Sequence, residues 1–264
     1  VQLGLGILIG SFAFILGMLM LFGEIFLPYN DLTAFIYLAI GYAIVDIGVP
    51  SKIMLSKGIL RDPTGKYAIK SSVINVTAGL LAVTGLVILN STPETILLKI
   101  AGIFGFAGGF YVLHEFIHRL DDYIIRFEEA EAQFAITFSL LLGLSYATEI
   151  IGLSTVLGAF FAGIIVSRSD FSDSRAFQEK IKAIGLGLFI PIFFAWFGLG
   201  LNLDSIIANF GAATFLFALS TVSKIGIGYV ISRIHEIDKP MTVATSLLSL
   251  DIETLVVLLI GIDM

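Results

Sequence analysis

The sequence predicts an all-α protein, a polytopic bundle of membrane-spanning helices. Composition is the first observation: 57% of the 264 residues are apolar, 14% are charged and none is cysteine. An average soluble domain is about 25% charged, so the chain lacks the groups that would wet a soluble surface. Its mean hydropathy is +1.00. The second observation is nine apolar runs close to the roughly 20 residues that a bilayer core requires. The third is the basic residues, which gather in alternate connections. Disorder and a disulfide-stapled secreted scaffold are excluded. A net charge of −6 points to no partner beyond the lipid bilayer, and no basic stripe interleaved with aromatics supports nucleic acid.

The expected spans are 1–23, 33–57 (interrupted), 67–90, 94–118, 129–150, 153–168, 183–203, 210–232 and 241–262. The first has no basic leader or small-residue cleavage site, so it reads as a full span rather than a signal peptide. The run 153–168 is short and 183–203 contains Pro191; both are tolerated where neighbouring helices cover the backbone. Residues 1–264 read as a single transmembrane domain, multi-pass in the cell membrane, and the abrupt ends suggest a piece of a longer protein.

All but Lys99 and Lys224 of the 15 Lys and Arg lie at span ends or connections on one side, from Lys52, Lys57 and Arg61 to Arg233 and Lys239. The opposite connections, 24–32, 90–94, 150–153 and 203–210, contain none. By the positive-inside rule the basic side is cytoplasmic. Lys99 can snorkel from its helix end; Lys224, near the middle of span 210–232, cannot.

An ionisable group at bilayer depth costs on the order of 3 kcal/mol and is a functional candidate by default. Four stand out: Asp46, Lys224, Asp251 and Glu253. Pro50 removes a backbone donor and disfavours helix at Val49, while Gly48 loosens the turn before it. A helix broken beside Asp46 would expose free carbonyls next to a carboxylate, as in the ion sites of secondary transporters. The plainer reading is a proline kink whose Asp caps the second half-helix. Lys224 needs a carboxylate from another helix, with Asp46, Asp251 and Glu253 available. Asp251 and Glu253, two apart, point to nearly opposite faces of a regular helix.

A competing motif is His114-Glu115-Phe116-Ile117-His118, which matches the zinc-protease pattern H-E-x-x-H. A third ligand is required, yet the only other histidine is His235 and there is no cysteine. An amphipathic helix end explains these residues more simply, so no metal and no cofactor is expected. Gly105, Gly108, Gly109, Gly158, Ala159, Ala162 and Gly163 are expected to allow close helix contact. The charged stretch Asp121 to Glu131 is expected to be a solvated loop.

Several blocks resemble the cation:proton antiporter-2 family, the Kef-type and sodium/proton exchangers. Thr148 to Gly163 (TEIIGLSTVLGAFFAG) is similar to a family signature. Phe189 to Phe194 (FIPIFF), running into Phe197 to Asp204 (FGLGLNLD), is similar to its next helix. Gly58 to Lys66 (GILRDPTGK) resembles the connection after the first broken helix, and Lys224 falls where such antiporters keep a membrane-embedded lysine. The resemblance covers essentially the whole chain. It implies inverted repeats with crossing broken helices, a fragment lacking helices at both ends, no enzymatic activity, and a homodimer whose contact helices lie mostly in the missing N-terminal part.

The chain departs from the family at the ion site. The family's ion-binding aspartate follows an Asp, Asn or Gln; here Asn75 is followed by Val76, which can neither bind a cation nor carry a proton. Asp251-Ile252-Glu253 stands where the family often has Gly-Gly-Glu, and Asp46 replaces a small hydroxyl residue. The leading expectation is proton-coupled antiport of a monovalent cation, Na+ or K+, at a relocated site. Asp46 would be its carboxylate, with Asn75 and Thr77 as neutral oxygens, Asp251 or Glu253 from the second crossing helix, and Lys224 as charge balance. The alternatives are a transport-inactive regulatory homologue and, further off, an intramembrane zinc protease.

Overall fold

A computed structural model describes residues 2–27, 31–45, 54, 58–59, 62–90, 92–124, 130–151, 155–248, 254–255 and 257–258. Every regular element among these residues is helical. The helices are α1 (Gln2–Phe26), α2 (Leu32–Ala43), α3 (Pro63–Leu89), α4 (Pro93–Ile124), α5 (Ala130–Ile150) and α6 (Thr155–Val166). After a 3₁₀ turn at Asp170–Asp173 come α7 (Arg175–Ile184), α8 (Ile190–Leu199), α9 (Leu203–Ala208), α10 (Phe210–Ile234) and α11 (Pro240–Ser246). The fold class is as expected, an all-α membrane bundle. Five stretches are long and apolar enough to cross a bilayer: Gln2–Phe26, Pro63–Leu89, Glu131–Ile150, Arg175–Leu199 and Phe210–Ile234. Large apolar side chains face outward, such as Trp196 and Leu199 at 62% and 88% exposure. In water that surface would be a gross defect; in lipid it is the solvated face.

Two compact units form, Val1–Val83 with Asn202–Met264, and Thr84–Leu201. In the first, α1 packs along both α2 and α10, and α10 along α11. Small residues set the α1–α10 seam: a Cβ on Gly6 would lie 3.1 Å from Ile231, and one on Gly10 would lie 2.7 Å from Ile227. The paired steps of four residues, rising on α1 and falling on α10, mean that the helices run antiparallel. Asp31 caps α2 by accepting from the Ala34 N–H at 3.1 Å. Leu3, Ile7, Val45, Met54, Ala68, Ile237, Val243 and Leu247 close a core around the inner end of this unit. Gly58 (φ 70°) supplies the left-handed turn that returns the chain, with the Ile59 N–H on the Met54 carbonyl.

In the second unit α5 and α6 form the tightest pair. A Cβ on Gly158 would collide with the Leu144 carbonyl, so glycine is required there. Gly105, Gly108, Gly109 and Gly163, expected to serve similarly, have no atom within 4 Å of a built Cβ. They face outward, and small size at those positions serves no contact among the described residues.

Two boundaries differ from expectation. The stretch Asp121 to Glu131 is not all loop, since α4 stays helical to Ile124 and α5 begins at Ala130. At 1.5 Å per residue α4 is about 48 Å long, so its charged end projects beyond the hydrocarbon layer. The span placed at 183–203 starts at Arg175, capped by Ser174. Its first ten residues are amphipathic: Phe177 and Ile181 pack with Val166, Phe171, Ile136 and Leu140, while Lys180 pairs with Glu131 at 2.6 Å. A π-turn at Gly185–Phe189 joins it to α8. Pro191 lacks an N–H and its ring crowds the carbonyl four residues back, which the wider turn through two glycines accommodates.

Candidate functional site

The site grows from the inner end of α2. Regular helix stops at Ala43, and Ile44 is extended (φ −66°, ψ 142°), followed by Val45 in no regular element. Local sequence favours this, because Ile44, Val45, Ile47 and Val49 are β-branched and lose side-chain freedom in a helix. Ile44 and Val45 are fully buried. In a continuing helix the carbonyls of Tyr42, Ala43 and Ile44 would accept from N–H groups four residues on. Left open inside a membrane bundle, each would cost several kcal/mol.

Side chains from two other helices satisfy them. Ser220 on α10 donates to the Tyr42 carbonyl at 3.2 Å. Asn75 on α3 donates through Nδ2 to the Ala43 carbonyl at 3.4 Å and accepts from the Val45 N–H at 2.9 Å. Lys224 on α10 donates through Nζ to the Ile44 carbonyl at 2.7 Å. One amide thus stands in for a stretch of backbone ladder, and one ammonium meets the negative end of the α2 dipole. Asn75, Ser220 and Lys224 are all buried. Gly79, one turn beyond Asn75 on α3, lets Ile44 in, since a Cβ there would collide with the Ile44 side chain. On another side of α2, a Cβ on Gly41 would lie 3.2 Å from Leu258.

Among the expected site residues, Asn75 and Lys224 converge on adjacent peptides of the α2 end. Thr77 does not join them: two residues on from Asn75 it faces away, and its hydroxyl donates to the Val73 carbonyl of its own helix at 2.7 Å. Asp46, Gly48, Pro50, Asp251 and Glu253 lie outside the described residues. Val76, where the family resemblance sets an aspartate, is buried. Ser220 escaped the sequence reading, although its place four residues before the conspicuous Lys224 puts both on one helix face.

A cavity of about 440 Å³, lined by Gln2, Leu3, Tyr67, Lys70, Ser71, Ile74 and His235, opens at the basic end of the same unit. Ser71 lies one turn before Asn75 on α3, so the cavity reaches within a turn of the amide that holds α2. The arrangement combines inward-facing carbonyls, a neutral amide and a buried cation, the parts from which a site for a small cation can be built. No group of three or more His, Cys, Asp or Glu among the described residues is placed to hold a metal. Glu115 of the H-E-x-x-H stretch is exposed, and the side chains of His114 and His118 lie outside the described ones.

The class defined here is a membrane helix bundle in which one helix ends inside the protein, with polar side chains from two other helices seated on its last carbonyls. The profile of the family "sodium/hydrogen exchanger, transmembrane" matches residues 2–263, and the chain belongs to that family. This is a family of transporters and not of enzymes. A Na+/H+ antiporter of Enterococcus hirae is 30% identical over 122 residues, 46% of this chain and 31% of the relative. A K+/H+ antiporter of Saccharomyces cerevisiae is 26% identical over 187 residues, 67% and 21% of the two chains. A Na+/H+ antiporter of Synechocystis is 27% identical over 184 residues, 67% and 24%. The chain therefore spans about a fifth to a third of the length of these relatives.

Proposed function

We propose that this chain is the ion-handling part of a proton-coupled antiporter for a monovalent cation, Na+ or K+, working by alternating access as one transmembrane domain. The relatives are named for Na+ or K+ exchange with H+, and membership of the family supports the general chemistry. The observation that carries the reading is the α2 end, held open by Asn75 and by Lys224 at 2.7 Å from the Ile44 carbonyl. A helix interrupted within the membrane and secured by side chains from elsewhere offers carbonyl oxygens without unravelling the bundle.

In this reading Asp46, two residues beyond Ile44, is the carboxylate for which cation and proton compete. Glu253 or Asp251 adds acidity from the second crossing segment, Asn75 offers a neutral oxygen, and Lys224 balances charge; Thr77, turned to its own helix, takes no part. Competition for one carboxylate suffices for coupling: the site crosses carrying either H+ or the metal ion. Rocking of one helix group against another alternates its access. The test is cation-driven proton flux in liposomes containing the full-length protein. Asp46→Asn is expected to abolish it; undiminished flux in that variant would place the exchange site elsewhere.

Val76 favours a second reading. An apolar residue buried at the family's acidic position suits a transport-inactive homologue that regulates or scaffolds another membrane protein. That reading expects no cation-dependent flux from the wild type and a gain of flux in Val76→Asp.

A further inference from the structure

Hydroxyls inside this bundle follow a common pattern. Ser71, Ser72, Thr77, Thr148, Thr214 and Thr245 each donate to a carbonyl four residues back in their own helix. Ser11 on α1 breaks it. Its residue is fully buried, yet its Oγ has no hydrogen-bond partner among the described residues, although the Ile7 carbonyl is in sequence reach. A buried hydroxyl left in that condition costs about 1–3 kcal/mol, and such groups in native proteins ordinarily meet a water or an ion.

Two sets of contacts fix the depth of Ser11. The pairs Gly6 with Ile231 and Gly10 with Ile227 set the antiparallel register of α1 and α10, which puts Lys224 opposite the position two residues after Ser11. Gly23 meets Phe35, and counting along α1 and α2 from there brings Ile44 level with the third residue after Ser11. At 1.5 Å per residue, Ser11 therefore lies about 3–5 Å along the axis from the level where α2 gives out. Thr84 and Ser232 also have unpartnered hydroxyls, but neither shares this depth. Thr84 is five residues past Gly79, the contact point of Ile44, and Ser232 is eight residues past Lys224.

We propose that the Ser11 hydroxyl is an oxygen ligand of the transported monovalent cation, directly or through one water, on the α1 side of the broken helix. This rests on the antiport reading of the same site. Its oxygen is neutral and small, at the depth where α2 ends, and unclaimed by its own helix.

The test uses the full-length protein, with Na+ and K+ each supplied alone, and two readouts: half-saturation of proton flux in liposomes and the cation-induced rise in Tm in detergent. Loss of one neutral ligand is expected to raise the half-saturating cation concentration of Ser11→Ala about tenfold. Its Tm without cation should equal or exceed that of the wild type, since only an unsatisfied group has been removed. Ser11→Thr, which keeps the hydroxyl, should bind cation as the wild type does. Unchanged half-saturation and an unchanged cation-induced Tm rise in Ser11→Ala overturn the assignment while leaving antiport intact. A wild-type Tm rise that Ser11→Ala diminishes, without any flux, defeats antiport and upholds the ligand. Neither flux nor a Tm rise in the wild type overturns both.

Discussion

Lys224 reaches across 180 residues of sequence to donate to the carbonyl of Ile44 at 2.7 Å, at the point where α2 stops being a helix. Two costs are relieved together. The carbonyl has left its helix and the ammonium has left water, and the bond between them offsets part of each cost.

Removing the ammonium should therefore damage the fold as well as the transport. Lys224→Met keeps the stem and deletes the donor, and a hydrogen bond from a charged group is worth about 2 kcal/mol. Tm should fall and flux should be lost. Lys224→Arg keeps the charge but forces a wider fork into a fully buried position, so it should recover part of the stability and little of the flux. A Met variant as stable as the wild type would show that this bond does not hold α2.

Asn75 is expected to be as critical as any charged residue. Asn75→Ala strands both the Val45 N–H and the Ala43 carbonyl, now satisfied by one amide, at a cost of about 2–4 kcal/mol for the pair. Asn75→Asp still accepts from Val45 but turns an oxygen toward the Ala43 carbonyl. It should fall between the wild type and the Ala variant in thermal denaturation, provided the protein is assayed in one detergent.

Gly79→Ala tests the close approach of α3 to the break. The added methyl meets Ile44, and overpacking of this kind costs about 1–3 kcal/mol. Because the clash bears on Ile44 itself, flux should decline more than the small loss in Tm implies. The same change at Gly163, with no atom within 4 Å of a built Cβ, is expected to be silent in both measurements.

In the second unit, Phe177 fastens the amphipathic start of α7 against Val166 and Phe171. Phe177→Ala should cost about 3 kcal/mol by leaving a cavity, and limited proteolysis should find the segment around Ser174 newly accessible.

Much of this was legible from the residues alone. Five of the nine expected spans reappear as helices long and apolar enough to cross a bilayer, because a bilayer punishes every polar side chain along about 20 residues and the signal accumulates. Gly48 and Pro50 point to a break near Asp46, at residues outside the described ones, and regular helix already ends at Ala43, five residues before that glycine. The β-branched residues from Ile44 onward weaken the helix locally, but the donors that satisfy its end, Ser220, Asn75 and Lys224, are tertiary, and no local pattern around Ala43 encodes three donors on two distant helices. For the same reason Asn75 was identifiable as a neutral oxygen near the site and not as the group that splints the backbone. Asp121 to Ile124 stay in α4 although their charge reads as loop, because charge at a membrane surface does not by itself end a helix.

The most direct test of the whole account is proton flux on addition of Na+ or K+ to liposomes holding the intact protein, comparing wild type with Val76→Asp. Exchange through the relocated carboxylate predicts that the wild type carries flux without help from an acid at position 76. Silence in the wild type with flux awakened by Val76→Asp would contradict it, leaving a dormant carrier whose missing aspartate is the reason.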